Sequence, residues 1–231
     1  MAYKIADTVF DLSCRYEYTH LQLSNYRSGE PAEFEIRITE DDILAERQKT
    51  GELITSGYAE SLAVLRKLSD ELLKKDTVLF HGSSIAVNGV AAIIAAPSGM
   101  GKSTHARLLR ELLGDRAVMV NDDKPFVRVG DPCVVYGSPW DGKHHLSCNA
   151  AFPLKAICFL ERDETNHIEE ISAKEALPML LNQAYRAEAV ERILLLAARL
   201  ADSVSLYRLG CNMEPEAAKV SWAALSQGMK P

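Results

Sequence analysis

Residues Ala96-Pro97-Ser98-Gly99-Met100-Gly101-Lys102-Ser103 carry the clearest chemical signal in the sequence. They follow the Walker A pattern, with alanine in place of the usual first glycine. Glycines at this spacing let backbone N–H groups turn inward around phosphate oxygens, and a helix starting at the lysine adds its partial positive charge. In such a loop Lys102 reaches the β- and γ-phosphates and the Ser103 hydroxyl ligates magnesium. Pro97, Ser98, Gly99, Met100, Gly101 and Thr104 complete the nucleotide-binding set. Downstream, Asp122 and Asp123 end an apolar strand, where P-loop enzymes place the acid that handles magnesium. On extended backbone the two side chains point opposite ways, so one faces a metal and its waters while the other faces an attacking hydroxyl. The same Asn-Asp-Asp run also suits a solvated turn. The chemistry implied is binding of ATP with Mg2+.

Other residues are weaker candidates. His81 ends a strand, and a lone histidine is more often structural than functional. Ser138-Pro139-Trp140-Asp141-Gly142-Lys143-His144-His145 packs glycine turns, an aromatic and cations into one loop, with Trp140 and Lys143 the leading contacts for an acceptor. A zinc reading of His144 and His145 is weak, because adjacent histidines diverge and no third ligand stands at a familiar spacing. Arg162 and Arg186 have the charge to stabilise a transferring phosphate, although a surface ion pair is the ordinary fate of such residues.

These residues need a scaffold, and periodicity supplies one. Residues 8–10, 20–23 and 34–38 read as short strands, with a turn at Ser28-Gly29-Glu30-Pro31. A helix is expected over 59–74, where Leu62, Leu65, Leu68, Leu72 and Leu73 form one stripe. Residues 1–75 thus make a β-rich N-terminal lobe plus a helix, integral to the fold, and 76–231 a P-loop kinase core with C-terminal helices. In the core, a strand over 77–80 ends at His81-Gly82. Segments 85–87 and 90–96 flank Asn88-Gly89, a strong hairpin signal, so the strand entering the loop is the second arm of an antiparallel hairpin. A helix over 104–113 stops at Gly114, and a strand over 117–120 leads to the aspartates. A hairpin follows over 126–129 and 133–136, then strands over 156–160 and 206–209. Ser172-Ala173-Lys174-Glu175 fits a capping box opening a helix that Pro178 bends, and further helices are expected over 187–201 and from Pro215.

The formal net charge of −6 argues against a broad nucleic-acid footprint, which needs a basic face. Five scattered cysteines without a CxxC pair read as reduced, buried thiols. No apolar run approaches the roughly 20 residues that span a membrane, and the start lacks the apolar run of a signal peptide. A cytoplasmic protein with neither membrane nor nucleic-acid partner is expected.

The stretch 81–123 resembles the core of HPr kinase/phosphorylase. The likeness rests on His81-Gly82, the hairpin through Asn88-Gly89, the loop Pro97-Ser98-Gly99-Met100-Gly101-Lys102-Ser103, and Asp122-Asp123. That family shares its fold with ATP-type phosphoenolpyruvate carboxykinase. The resemblance therefore implies a mixed-sheet α/β P-loop fold of that type. It also implies roles: Asp122 as the base that takes the acceptor proton, His81 beside it and next to the transferred phosphate, and Asp123 as the metal-side acid with Ser103. In length the chain looks most like the short HPr-kinase-related proteins of bacteria, some of which phosphorylate a serine of a peptide or another acceptor.

The leading expectation is an ATP- and Mg2+-dependent kinase acting on a hydroxyl, with a peptide, protein or small molecule as acceptor. The alternative is a nucleotide-binding regulatory module without transferase activity. A plain NTP hydrolase has less behind it, because no glutamine or glutamate is clearly placed to orient water. The acceptor, the use of pyrophosphate and the oligomeric state, a homo-oligomer included, stay open.

Overall fold

The computed structural model, which describes residues 1–50, 53–185 and 189–228, is mixed α/β. The chain divides into two units, Met1–Lys75 and Asp76–Pro231. Among the described residues, no helix is long and apolar enough to cross a membrane.

The first unit holds β1 (Ala2–Ile5), β2 (Thr8–Ser13), α1 (Glu17–Gln22), β3 (Phe34–Arg37), α2 (Glu40–Thr50) and α3 (Ser56–Leu73). Its sheet runs β1-β2-β3, with β2 and β3 parallel. The stripe expected on α3 is the buried face: Leu65, Leu68, Leu72 and Leu73 are all buried, and Thr55 caps the helix by accepting from the Tyr58 N–H. Residues 20–23, expected as a strand, instead belong to α1 and its end. The cause is non-local. The fully buried Glu60 carboxylate accepts from the Arg15 N–H (2.6 Å), the Tyr16 N–H (3.0 Å) and the Thr19 hydroxyl (2.6 Å), placing negative charge at the helix start.

The second unit is built on one mixed sheet. Its strands are β4 (Thr77–Leu79), β5 (Ser83–Val87), β6 (Val90–Ala95), β7 (Ala117–Asn121), β8 (Phe126–Arg128), β9 (Val134–Tyr136), β10 (Ala151–Arg162), β11 (His167–Glu170) and β12 (Ser205–Cys211). The order is β4-β8-β9-β10-β6-β5-β7, with β12 parallel to β10 and β11 antiparallel to β12. Among the described residues its α-helices are α4 (Lys102–Leu113), α5 (Ala173–Gln183), α6 (Val190–Ser203) and α7 (Pro215–Gly228). Asn88 and Gly89 both take positive φ (52° and 84°), the pair that a two-residue hairpin turn requires between β5 and β6. Ser172 and Glu175 form the expected reciprocal cap on α5, which runs through Pro178. The helix expected over 187–201 begins at Val190; residues 187 and 188 lie outside the described residues. Ile85, Ile94 and Leu160 of the sheet pack with Leu108 and Leu109 of α4 and Leu225 of α7 to form a buried core.

Strand direction gathers the candidate residues at one edge. β6 is parallel to β10, and β10 to β12, so the three strands end side by side. β5 is antiparallel to both β6 and β7, which puts its start, after His81, beside the ends of β6 and β7. Ligands of open α/β sheets bind outside such carboxyl ends. Gly137 fixes the return of the chain to this edge. A Cβ there would stand 1.8 Å from the Cys148 carbonyl oxygen and 2.7 Å from that of Val120, both backbone atoms. Gly137→Ala is therefore expected to destabilise the protein by about 1–3 kcal/mol, the usual cost of overpacking. Urea unfolding checks this; an unchanged midpoint would show that the backbone gives way freely.

Candidate functional site

The loop between β6 and α4 is shaped by two glycines. Gly99 and Gly101 have φ of 77° and 111°, a conformation that side chains rarely adopt, and a Cβ on either would meet open space. The backbone is thus wound left-handed at both positions. Lys102 begins α4 with only 7% of its surface exposed, and its ammonium donates to the carbonyls of Ala96 (2.8 Å) and Pro97 (3.4 Å). Burial pushes its pKa down; the charge of Asp123 opposes that shift and the charge of Lys124 adds to it. A buried cation held by neutral carbonyls is matched to an incoming anion. On the exposed side, Arg162 Nη2 donates to the Gly99 carbonyl at 2.7 Å.

Asn121, fully buried at the end of β7, organises the two aspartates. Its Oδ1 accepts from the N–H groups of Asp123 (2.8 Å) and Lys124 (2.6 Å), and its Nδ2 donates to the Ser138 carbonyl (3.0 Å) and hydroxyl (3.1 Å). The turn sends the two carboxylates apart. Asp122 Oδ1 accepts from the Gly142 N–H, while Asp123 pairs with His81 Nε2 (3.4 Å) and with the Lys124 ammonium. Burial alone would raise the Asp123 pKa, but the His81 hydrogen bond and the charge of Lys124 bring it down to about 2. In the orientation that satisfies its neighbours, the Gln183 amide nitrogen lies 3.2 Å from both His81 Nδ1 and the Ala96 carbonyl. Nδ1 then accepts, and Nε2 carries the hydrogen given to Asp123. Gln183 thereby ties His81 to the start of the glycine-rich loop.

Two cavities flank the first turns of α4. One, of ≈ 420 Å³, is lined by Ser103, Thr104, Arg107, Arg110, Asp122 and His144, among others. The other, of ≈ 500 Å³, lies toward the ends of β10 and β12. Thr104 borders both. The loop after Gly137 thus stands on the Ser103 side of the sheet, and Gly142 and His144 are its residues at the site. Trp140, expected to meet an acceptor, is instead buried at 3% exposure, and its carbonyl accepts from the Asn121 amide (3.4 Å). Lys143 is exposed, and Arg186 lies outside the described residues. His145 pairs with Asp141 (3.0 Å). Among the described residues no three His, Cys, Asp or Glu side chains cluster so as to hold a metal ion.

Asn121, Gly142 and Gln183 were not legible as site residues. Asn121 reads locally as turn chemistry, and the partners of Gly142 and Gln183 stand far along the chain.

The sequence profile of the family described as SynChlorMet cassette protein ScmC matches residues 60–214, two thirds of the chain, and the chain belongs to that family. The match is not to the HPr kinase/phosphorylase family, whose motifs the loop resembles. No curated protein matches the chain. Among solved structures, it is similar to the Hpr(Ser) kinase/phosphatase from Coxiella burnetii, at 8% identity and a TM-score of 0.38 over 64% of this chain and 91% of that one. A likeness so slight carries no argument about chemistry.

The lowered pKa of Asp123 has a defined pH signature. Its stabilising contribution is complete above its ordinary value of 3.8 and is lost as pH falls toward about 2. The stability gap between wild type and Asp123→Asn should therefore be constant at pH 5 and above and shrink between pH 4 and 2. Urea unfolding across that range tests it. A gap independent of pH would mean that the carboxylate is not held by His81 and Lys124.

Proposed function

We propose that this member of the ScmC family is an ATP- and Mg2+-dependent phosphotransferase acting on a hydroxyl acceptor, built on a P-loop fold of the phosphoenolpyruvate carboxykinase/HPr kinase type. One observation carries the reading. Ser103 and the Asp122 carboxylate line the same cavity, beside a left-handed glycine loop whose buried Lys102 donates to loop carbonyls. A phosphate-binding turn, a hydroxyl suited to magnesium and a carboxylate suited to proton transfer are the minimum that phosphoryl transfer asks of a protein.

The residues fit the nucleotide. Glycine N–H groups and the start of α4 receive the phosphates, and Lys102 exchanges its loop carbonyls for phosphate oxygens. Ser103 and Asp123 offer hard oxygen donors to Mg2+, which when bound neutralises charge on the transferring group. The charge of Asp123 already reaches Lys102. An Asp123 that stays ionised to about pH 2, with His81 and Lys124 on its oxygens, is a poor proton acceptor and a good anionic anchor. Asp122 takes the other role. As the acceptor oxygen bonds to the γ-phosphorus, its proton passes to Asp122, and the bond to the bridging oxygen breaks to leave ADP. The Gly142 N–H holds the Asp122 carboxylate in place through Oδ1. Arg107, Arg110 and His144 border the space left for the acceptor.

Two substitutions test this. Lys102→Ala should weaken ATP binding by roughly 10- to 100-fold, the worth of a charge-assisted contact, without loss of fold. Asp122→Asn should keep ATP and Mg2+ binding while turnover falls by about 10²–10⁴-fold, the usual contribution of a general base. Calorimetry reads the first, and transfer to an acceptor, or slow ATP hydrolysis, reads the second. Unchanged affinity in Lys102→Ala would remove the phosphate-binding loop; wild-type turnover in Asp122→Asn would leave a nucleotide-binding module.

A further inference from the structure

We infer that the ≈ 500 Å³ cavity beside α4 takes the nucleoside base of the nucleotide, and that His105 Nδ1 accepts a hydrogen bond from an exocyclic amino group on that base. The inference rests on the phosphate-binding reading of the loop and adds to it the class of nucleoside selected.

Position is the first argument. The cavity is bordered by Met100, Gly101 and Thr104, so it opens directly off the loop. The cavity holding Ser103 and Asp122 lies across Thr104, on the reacting side. A triphosphate running over the first turn of α4 would therefore leave its nucleoside end in the larger space. Chemistry is the second. Met100, Leu108, Leu160 and Cys211 give the cavity apolar walls, while Arg162, Asp163 and Glu164 bring charge to its lining. Aliphatic and sulfur-bearing side chains suit the flat, polarisable face of a heterocycle. The volume is in the range of about 300–1,000 Å³ common for small-ligand sites.

His105 supplies the third argument. It lines the cavity while only 2% exposed. Its Nε2 lies 2.9 Å from the Ser221 hydroxyl, which in turn donates to the Ala218 carbonyl at 3.1 Å. A serine hydroxyl has one hydrogen, and a carbonyl only accepts, so the ring must be the donor at Nε2. A buried imidazole with no acidic partner stays neutral and carries one hydrogen. Nδ1 is then a bare acceptor, buried and without a partner. Native proteins seldom leave such an atom unsatisfied. The 6-amino group of adenine supplies the missing donor.

The test compares binding of three compounds with Mg2+ present: ATP, purine riboside 5′-triphosphate, which lacks the amino group but keeps ribose and ring, and inorganic tripolyphosphate. Wild type should bind ATP about tenfold tighter than the purine riboside compound, the cost of leaving a buried acceptor unpaired. In His105→Phe, which keeps the ring's bulk, the two should bind alike while tripolyphosphate affinity is unchanged. His105→Asn, which restores a carbonyl acceptor, should recover part of the preference. Equal binding of the two nucleotides by wild type overturns the assignment without needing any variant. So does an ATP preference that survives in His105→Phe. If tripolyphosphate binds and the nucleotides gain nothing over it, the base pocket alone is wrong. If none of the three binds, the phosphate-binding reading fails and takes this one with it.

Discussion

A single buried amide sets the geometry on which the candidate site depends. Asn121 spends its oxygen on the backbone of the two residues that follow Asp122 and its nitrogen on the chain segment returning past Gly137. The first pair of bonds bends β7 off the sheet, so that the adjacent carboxylates face different partners. The second draws in the Ser138–Trp140 backbone, which brings the Gly142 N–H onto Asp122. The hydroxyls of Ser83 and Ser84 tie the carbonyls of Asp122 and Asn121 to β5 (3.1 Å each). Asn121, Asp122, Ser83, Ser84 and Ser138 are buried, so removing one of them leaves a partner unpaired in a low-dielectric setting. Such a network holds as a unit. It makes the position of the aspartates a property of the core rather than of a loop.

This also explains why the two acids differ. They are neighbours in sequence, but Asp123 meets a cation and a histidine, whereas Asp122 meets a backbone N–H and open space. Environment, not residue type, divides the roles.

The parts of the fold that were legible in the sequence are those determined within a few residues. Asn88-Gly89 forms its turn, Ser172 and Glu175 cap each other, and the glycines of the 96–101 loop take the left-handed backbone their type allows. What sequence reading missed depends on distant partners. The start of α1 is fixed by Glu60 on α3, and the backbone at Trp140 is held by Asn121, 19 residues earlier. Helix α2 escaped notice for another reason. Of its side chains only Ile43 and Glu46 are buried, so it has no apolar stripe to read, and it is held instead by the Asp42 carboxylate on the Thr39 N–H (2.8 Å) and by Arg66 on Glu46. The spacing of Thr39 and Asp42 was the one local signal available for its start.

The antiparallel entry into the loop has a consequence for how the molecule assembles. His81 and the glycine-rich loop are brought together by a two-residue turn, so their meeting closes almost no chain. Arg162 and Cys211, at the ends of β10 and β12, join the same edge only after long stretches of chain have been looped out. Loop entropy therefore favours an order of events in which the phosphate-side half of the site forms early, as a local unit, and the half on the β10–β12 side is added last. A destabilised chain would lose its grip in the reverse order, fraying at the cavity walled by β10 and β12 while the hairpin and its loop persist.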